Sequence, residues 1–439
     1  MKEQVTAIIV GCGHRAREYA ETAISYSNKF KIIAIVDPDE HILELNKAKF
    51  NVADNMCFRH ISEVLKLGKI ADCVINGTMD NLHIETSIPF LEQGYDLLLE
   101  KPITNNAKDL LKLKEIVDKY HNKVMVCHVL RYSDFYKEAK KAILSGEIGE
   151  VVHIETTERV GVAHNCISYI RGKWNNEQEC GSSMLLAKCS HDIDLICWFN
   201  NATKPKKVSS FGGRNFIIPE KAPKEAGNRC LVDCPLVETC QYSAKMMCLE
   251  SNDYLGQYPW QCTGKEWYEV SNEERIESLK TYNPHGVCAY KTNANVVDHQ
   301  AVMIEFENGS TATHGLLCSA QRAGRSFYIL GTHGEIEGWG GDGKIFIRTF
   351  DEINRDNIDV GKERVIDFNN NDQSEAGGHF GGDELLAHDF VDYMLGAEPS
   401  ISCTSLDDSI NGHLCVYAAD LSRVLERIVY LNDLVENKK

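Results

Sequence analysis

The sequence predicts an α/β protein: an N-terminal Rossmann domain wound on both faces of a parallel sheet, then an α+β domain with a mainly antiparallel open sheet. Three observations predict it. Near the N-terminus TAIIVGCGHRAREYA sets a short apolar run, rich in β-branched residues, directly before Gly11 and Gly13, as when a buried parallel strand turns into a helix. Apolar strands then alternate with helical stretches as far as residue 128, the pattern of a crossover-connected sheet. Beyond it the alternation stops, and runs such as DHQAVMIEFENGSTATHGLLCS alternate apolar and polar positions, as half-buried antiparallel strands do. The organisation expected is therefore a dinucleotide-binding domain at 1–128 and a substrate and oligomerisation domain at 129–439, with a cysteine-rich insertion at about 222–290.

Each element has a physical reason. After the strand at 6–10, Gly11 permits a tight turn, Gly13 lets the backbone approach a pyrophosphate, and Ala16 lets helix and strand pack closely. The helix expected over 15–29 presents its positive end to the phosphates, with His14 and Arg15 at its start. The second strand, 31–36, ends in Asp37, at the spacing of a carboxylate that holds ribose hydroxyls. A carboxylate repels a 2′-phosphate, and Pro38, Asp39 and Glu40 supply no cation, so NAD is favoured over NADP. The plainer reading of Asp37 is a turn or helix-cap aspartate. Helices are expected at 40–49, 61–67, 81–93 and 106–120, and strands at 72–76, 96–99 and 123–128. Ligands on such sheets bind beyond the strands' carboxyl ends, which is where Gly11, Asp37, Thr78, Glu100 and His128 fall.

The balance of 47 basic against 64 acidic residues, net −17, opposes binding to nucleic acid or an anionic membrane. No apolar run is long enough to span a bilayer and no signal peptide precedes the first strand, so a cytoplasmic location is expected. Most of the 17 cysteines, such as Cys73, Cys127, Cys197 and Cys415, sit singly in apolar runs as small core residues of a reducing compartment. Cys230, Cys234 and Cys240 differ: they cluster in a segment of weak periodicity. With Cys288 as fourth ligand they would form a structural zinc site; free thiols or a labile disulfide are the alternatives.

In the second domain, strands are expected in VVHIETTERV, KKVSSFGGRNFI and RSFYILGTHGEIEGWG, with closing helices at 383–395 and 405–431. The segment KCSHDID places Lys188, His191 and Asp194 on one helical face. A histidine titrating near neutrality suits the proton acceptor when an alcohol loses hydride. A satisfied buried His–Asp pair is the alternative. Arg131, Tyr132, His164, Arg171 and Trp174 are candidates to contact a sugar, and His379 and Asp383 to cap the pocket; packing explains each equally well.

The run ETSIPFLEQGYDLLLEKPIT, with Thr78 and His83 ahead of Glu100-Lys101-Pro102, resembles the glucose–fructose oxidoreductase and inositol dehydrogenase family. LRYSDFYKEAKKAILSGEIGEVVHIE, KCSHDIDLICWF and GTHGEIEG continue the resemblance in register over most of the chain. It implies a nicotinamide site at Lys101, a catalytic role for His191, and Asp194 beside the substrate hydroxyls. One departure stands out: where family dehydrogenases often carry an aspartate four residues before the histidine, this chain has Ala187, with Lys188 next to it.

The expected function is NAD-dependent hydride transfer between nicotinamide and a hydroxyl of a sugar, polyol or glycoside, in a homo-oligomer (dimer or tetramer). The first alternative is a redox-neutral NAD-dependent glycosidase working by oxidation, elimination, addition and reduction. The second is a non-catalytic sugar or nucleotide sensor, which retention of both Lys101 and His191 disfavours.

Overall fold

The computed structural model describes residues 3–251, 254–350, 361–368 and 381–436. Its first sheet comprises β1 (Val5–Val10), β2 (Phe30–Val36), β3 (Cys57–Phe58), β4 (Cys73–Asn76), β5 (Asp96–Leu99) and β6 (Val124–Val126), in the order β3-β2-β1-β4-β5-β6. All pairings are parallel. The order reverses between β1 and β4, which opens a crevice at their carboxyl ends. Helices α1 (His14–Ala20), α2 (Glu40–Phe50), α3 (His83–Glu92) and α4 (Ala107–Tyr120) connect the strands. Side chains fix two of the starts: Asp39 accepts from the His41 and Ile42 amides, and Asn106 from that of Asp109. The single helix expected over 15–29 is instead α1 followed by a short turn at Thr22–Ser25. The stretch TAISYSN is poor in helix formers, so nothing sustains a longer helix there.

The second sheet has nine strands: β7 (Val151–Gly161), β8 (Pro205–Gly213), β9 (His299–Phe306), β10 (Thr311–Ala320), β11 (Gly324–Gly331), β12 (Gly334–Trp339), β13 (Lys344–Thr349), β14 (Lys362–Asp367) and β15 (Val429–Tyr430). Their order is β14-β13-β12-β11-β7-β10-β9-β8-β15, and only β7 and β10 pair in parallel. After α5 (Asp134–Leu144), helix α6 (Met184–Phe199) is buried all round, packed on β7, on β10 and on α8 (Leu406–Leu425). A helix so enclosed can be apolar on every face. Each charged residue it carries must therefore find a partner.

The C-terminal helices return to the first sheet. On α7 (Gly382–Met394), Leu386, Phe390 and Val391 join the cluster of Val5, Ala16 and Tyr19. Just before α8, the Val126 amide donates to the Thr404 carbonyl at 2.9 Å. Between β8 and β9 lies the insertion, turns and short helical stretches with one α-helix among its described residues at Asn272–Lys280, packed with Cys166 and Ile170 around a small core. No helix among the described residues is long and apolar enough to cross a membrane.

Candidate active site

The glycine loop is built for close approach. Gly11 has φ +75°, and a Cβ there would lie 2.6 Å from the Thr78 amide nitrogen, so only glycine fits. A Cβ on Gly13, the N-cap of α1, would instead point into open space, leaving the backbone bare where a pyrophosphate would lie. Ala16 is wholly buried, and a Cβ on Gly77 would meet its methyl at 2.7 Å. A larger side chain at 16 would push the helix off the strand. Asp37 is half-buried beside the loop, its carboxylate accepting from the Cys12 amide at 2.8 Å and the Asp39 amide at 2.9 Å. Asp39 is the helix cap, and Asp37 keeps lone pairs for a ribose.

At the end of β5, Glu100 is buried and accepts from Arg15 Nε and the Tyr19 hydroxyl, both at 2.8 Å, and from the Lys101 amide at 2.6 Å. Burial works against its charge, but Arg15 and Lys101 outweigh that and hold the carboxyl below its ordinary value. Arg15 also meets Glu18, Tyr19 and Asp383 of α7, so its guanidinium is engaged within the protein. His14 is half-exposed 3.7 Å from Glu18. His83 is fully buried and links the Pro102 carbonyl at 2.7 Å to the Thr78 carbonyl at 3.2 Å. It thereby ties two strand-end loops together.

Lys101 crosses to the second domain, donating from Nζ to the Ala187 carbonyl at 2.9 Å. Ala187 precedes His191 by four residues on α6, just over one turn, or about 6 Å of rise. Burial pushes the Lys101 ammonium below the ordinary lysine value, Glu100 and Asp80 oppose this, and nearby Lys188 adds to it.

Helix α6 separates two buried charge clusters. On one side Arg131, wholly buried, grips Asp194 with Nε and Nη2, both at 2.6 Å, and also meets Asp408 at the start of α8. Burial works against the guanidinium, but the two carboxylates outweigh it and keep it protonated. His128 lies 3.6 Å from Asp194 and edge-to-face with His191 at 5.8 Å. Burial first, then Arg131, pushes His128 well below the ordinary histidine value. Beyond it His413 accepts from the Ile103 amide at 2.9 Å and is pushed down to about 3 by burial and by His128. On the other side Lys188 reaches Glu158 of β7 at 3.4 Å, and Arg325 of β11 lies 2.7 Å from Glu158 and 3.0 Å from Asp192. Cys189, Asp192 and His314 gather their ligand atoms within 4.8 Å there, with Arg325 already balancing the acids.

The structure thus brings Gly11, Gly13, Asp37, Thr78, Glu100 and Lys101 to the strand ends, and Lys188 and His191 to the helix Lys101 touches. It engages others within the protein. Asp194, expected beside substrate hydroxyls, has both oxygens taken by Arg131, which is itself buried. Tyr132 is buried and donates to Asp389 at 2.8 Å, against α7. Trp174 is half-buried, 6.2 Å from the ring of Tyr169 and capped by Lys173 at 4.3 Å. Arg171 is buried in the insertion, and His379 lies outside the described residues. Cys230, Cys234, Cys240 and Cys288 line one small cavity far along the chain from these motifs. A larger groove of about 500 Å³, lined by His14, Arg17, Leu45, Lys49, Glu266 and Tyr268, contains neither Asp37 nor Lys101.

Sequence reasoning missed Glu158, His314 and Arg325. The signal was present: each occupies the inward parity of its strand, alongside Ile154 and Val160, Ala312 and Leu316, and Phe327 and Ile329. A charge on an apolar stripe marks a buried partner.

Two family models match the chain: an oxidoreductase family with an NAD-binding Rossmann fold over residues 5–128, and the GFO/IDH/MocA C-terminal domain over 136–226. YteT of Bacillus subtilis, named as an oxidoreductase, is 24% identical over 420 residues, 89% of each chain. The inositol 2-dehydrogenase of Corynebacterium glutamicum is 23% identical over 254 residues, 55% of this chain and 69% of that one. The 2,7-anhydro-N-acetylneuraminate hydratase of Escherichia coli is 26% identical over 173 residues, 39% of this chain and 41% of that one. A solved oxidoreductase from Agrobacterium radiobacter, in complex with NAD+, L-tartaric acid and magnesium, shares the fold with a TM-score of 0.67 at 14% identity, over 98% of this chain and 99% of that one. The glycine crevice, the EKP turn and the open second sheet are thus accounted for together: the chain belongs to the GFO/IDH/MocA family of oxidoreductases.

Proposed function

We propose that the protein is an NAD-dependent oxidoreductase acting on a hydroxyl of a sugar, polyol or glycoside. The observation that carries this is the contact of Lys101 Nζ with the Ala187 carbonyl at 2.9 Å. It sets a strand-end cation of the nucleotide domain one turn from His191 on the second domain's central helix. Asp37 binds the adenosine ribose, and its carboxylate selects against a 2′-phosphate. Bound NAD supplies the hydride acceptor. Lys101 orients the substrate hydroxyl and His191 takes its proton; Lys188, held by Glu158, adds a second cation at the cleft. Arg131 and Asp194 fix the helix that carries His191 and act as positioning residues.

A redox-neutral cycle, in which NAD stays bound and a lyase or hydrolase step follows oxidation, is the second reading. Ala187 favours it, because no side-chain acid stands at that position to pair with Lys101, whose ammonium burial pushes below the ordinary lysine value, as suits a base. The family relative named as a hydratase points the same way. We also infer a homo-oligomer through the outer face of the second sheet, where Phe211 and Met303 are 71% and 59% exposed.

The test is to denature the purified protein, remove it, and identify released nucleotide by mass spectrometry. Near-stoichiometric NAD supports the redox-neutral cycle. Empty protein that binds NADH on addition supports a dehydrogenase that exchanges cofactor each turnover. Empty protein that binds neither NAD nor NADP contradicts both.

A further inference from the structure

We propose that Cys230, Cys234, Cys240 and Cys288 bind one zinc ion, and that Arg171 is the buried cation that balances the resulting thiolate charge. The four cysteines converge from two separate stretches of the insertion. The Cys230 amide donates to the Gly286 carbonyl at 2.9 Å and the Cys288 amide to the Asn228 carbonyl at 2.8 Å, across an antiparallel bridge between Arg229 and Val287. That pairing sets Cys230 and Cys288 on one face of the bridge as diagonal neighbours, and the turns that follow bring Cys234 and Cys240 to the same cavity of about 20 Å³. The space suits a single ion or water. No three of the four sulfurs stand within 4.8 Å of one another. Metal binding therefore closes the set by rotating side chains, for which Cys234 and Cys240, both half-buried, have room.

Arg171 is the independent observation. It is 2% exposed and lines this cavity. Its Nε donates to the Val287 carbonyl and its Nη2 to the Tyr242 carbonyl, both at 2.7 Å, while Nη2 also lies 3.6 Å from Cys230 Sγ. Its Nη1 has no partner among the described residues, and no carboxylate pairs with it there. The other buried arginines differ: Arg131 has Asp194 and Asp408, and Arg325 has Glu158 and Asp192. An uncompensated buried guanidinium is costly. Neutral thiols supply no counter-charge, whereas four thiolates around a divalent ion leave a net charge of about −2, which Arg171 reduces. An all-sulfur, tetrahedral set selects zinc over hard cations such as magnesium or calcium. The metal pins a segment made largely of turns, and His285, 3.0 Å from the Ile167 carbonyl, ties that segment to the stretch Asn165–Ile170.

The experiment measures zinc by elemental analysis in the untagged full-length chain after dialysis against a weak chelator, with native iodoacetamide labelling read by mass spectrometry. The expected result is about one zinc per chain. The four cysteines should resist alkylation until a strong chelator removes the metal, and be protected again when zinc is returned. A C234S/C240S variant should lose the zinc, and Arg171→Met should weaken its retention about tenfold. Arg171→Lys, which keeps the charge, should retain more zinc than the methionine variant. Metal-free protein whose labelling ignores added zinc overturns the proposal. So does zinc that persists undiminished in C234S/C240S, or recovery of these cysteines as disulfides from the native protein.

Discussion

The two sides of helix α6 treat buried charge in opposite ways. On one, wholly buried Arg131 takes both oxygens of Asp194 and also meets Asp408, whose side chain is 29% exposed. On the other, Arg325 joins Glu158 and Asp192, and Lys188 reaches them only through Glu158 at 3.4 Å. The closed cluster behaves as scaffold. The open one offers a cation close to Lys101, and the two together show that a charged cluster at a cleft is read by how fully its members are paired.

The strongest way to break this contrast is to remove one charge of each kind. Lys101→Met should lower kcat by about 10²–10⁴ while leaving the urea midpoint nearly unchanged. Arg131→Met should do the reverse, costing about 3–5 kcal/mol of stability by urea titration, because it leaves Asp194 buried and unpaired. If the two variants lost stability alike, the division between scaffold and site would fail. Asp37→Ser sharpens the reading of the crevice: NAD binding should weaken by about 1–3 kcal/mol and its preference over NADP should narrow, both by calorimetry. Glu158→Gln should raise KM about fivefold through a freer Lys188, with kcat little changed, and should also lower stability because buried Arg325 loses one of its two carboxylates.

The smallest expected effect is one of pH. Glu100 is held below its ordinary value of 4.5, so its contribution to stability is complete above that value and is lost as pH falls through the lower folded value. The stability gap between wild type and Glu100→Gln, measured in urea, should therefore be constant above pH 4.5 and shrink below it.

Local rules made much of this legible beforehand. Gly11, Ala16 and Asp37 follow from turn geometry and strand ends, and the strand expected at 96–99 coincides with β5. The cleft residues on α6 could be placed on a helix, but not assigned to one of its sides. Periodicity places Lys188, His191 and Asp194 on one face, whereas the structure splits them between partners from two regions remote in sequence. Asp194 meets Arg131, which follows β6, and Lys188 meets Glu158 of β7. The setting of Tyr132 was hidden for the same reason. Its partner Asp389 lies on a helix that returns from the far end of the chain.

The most direct test of the account is a crystal structure of the protein soaked with NAD. It predicts the adenosine ribose hydroxyls on Asp37, the pyrophosphate over Gly13, and the nicotinamide beside Lys101 on the side facing His191. A nucleotide bound instead in the groove of His14, Glu266 and Tyr268, or a nicotinamide ring remote from Lys101, would contradict it.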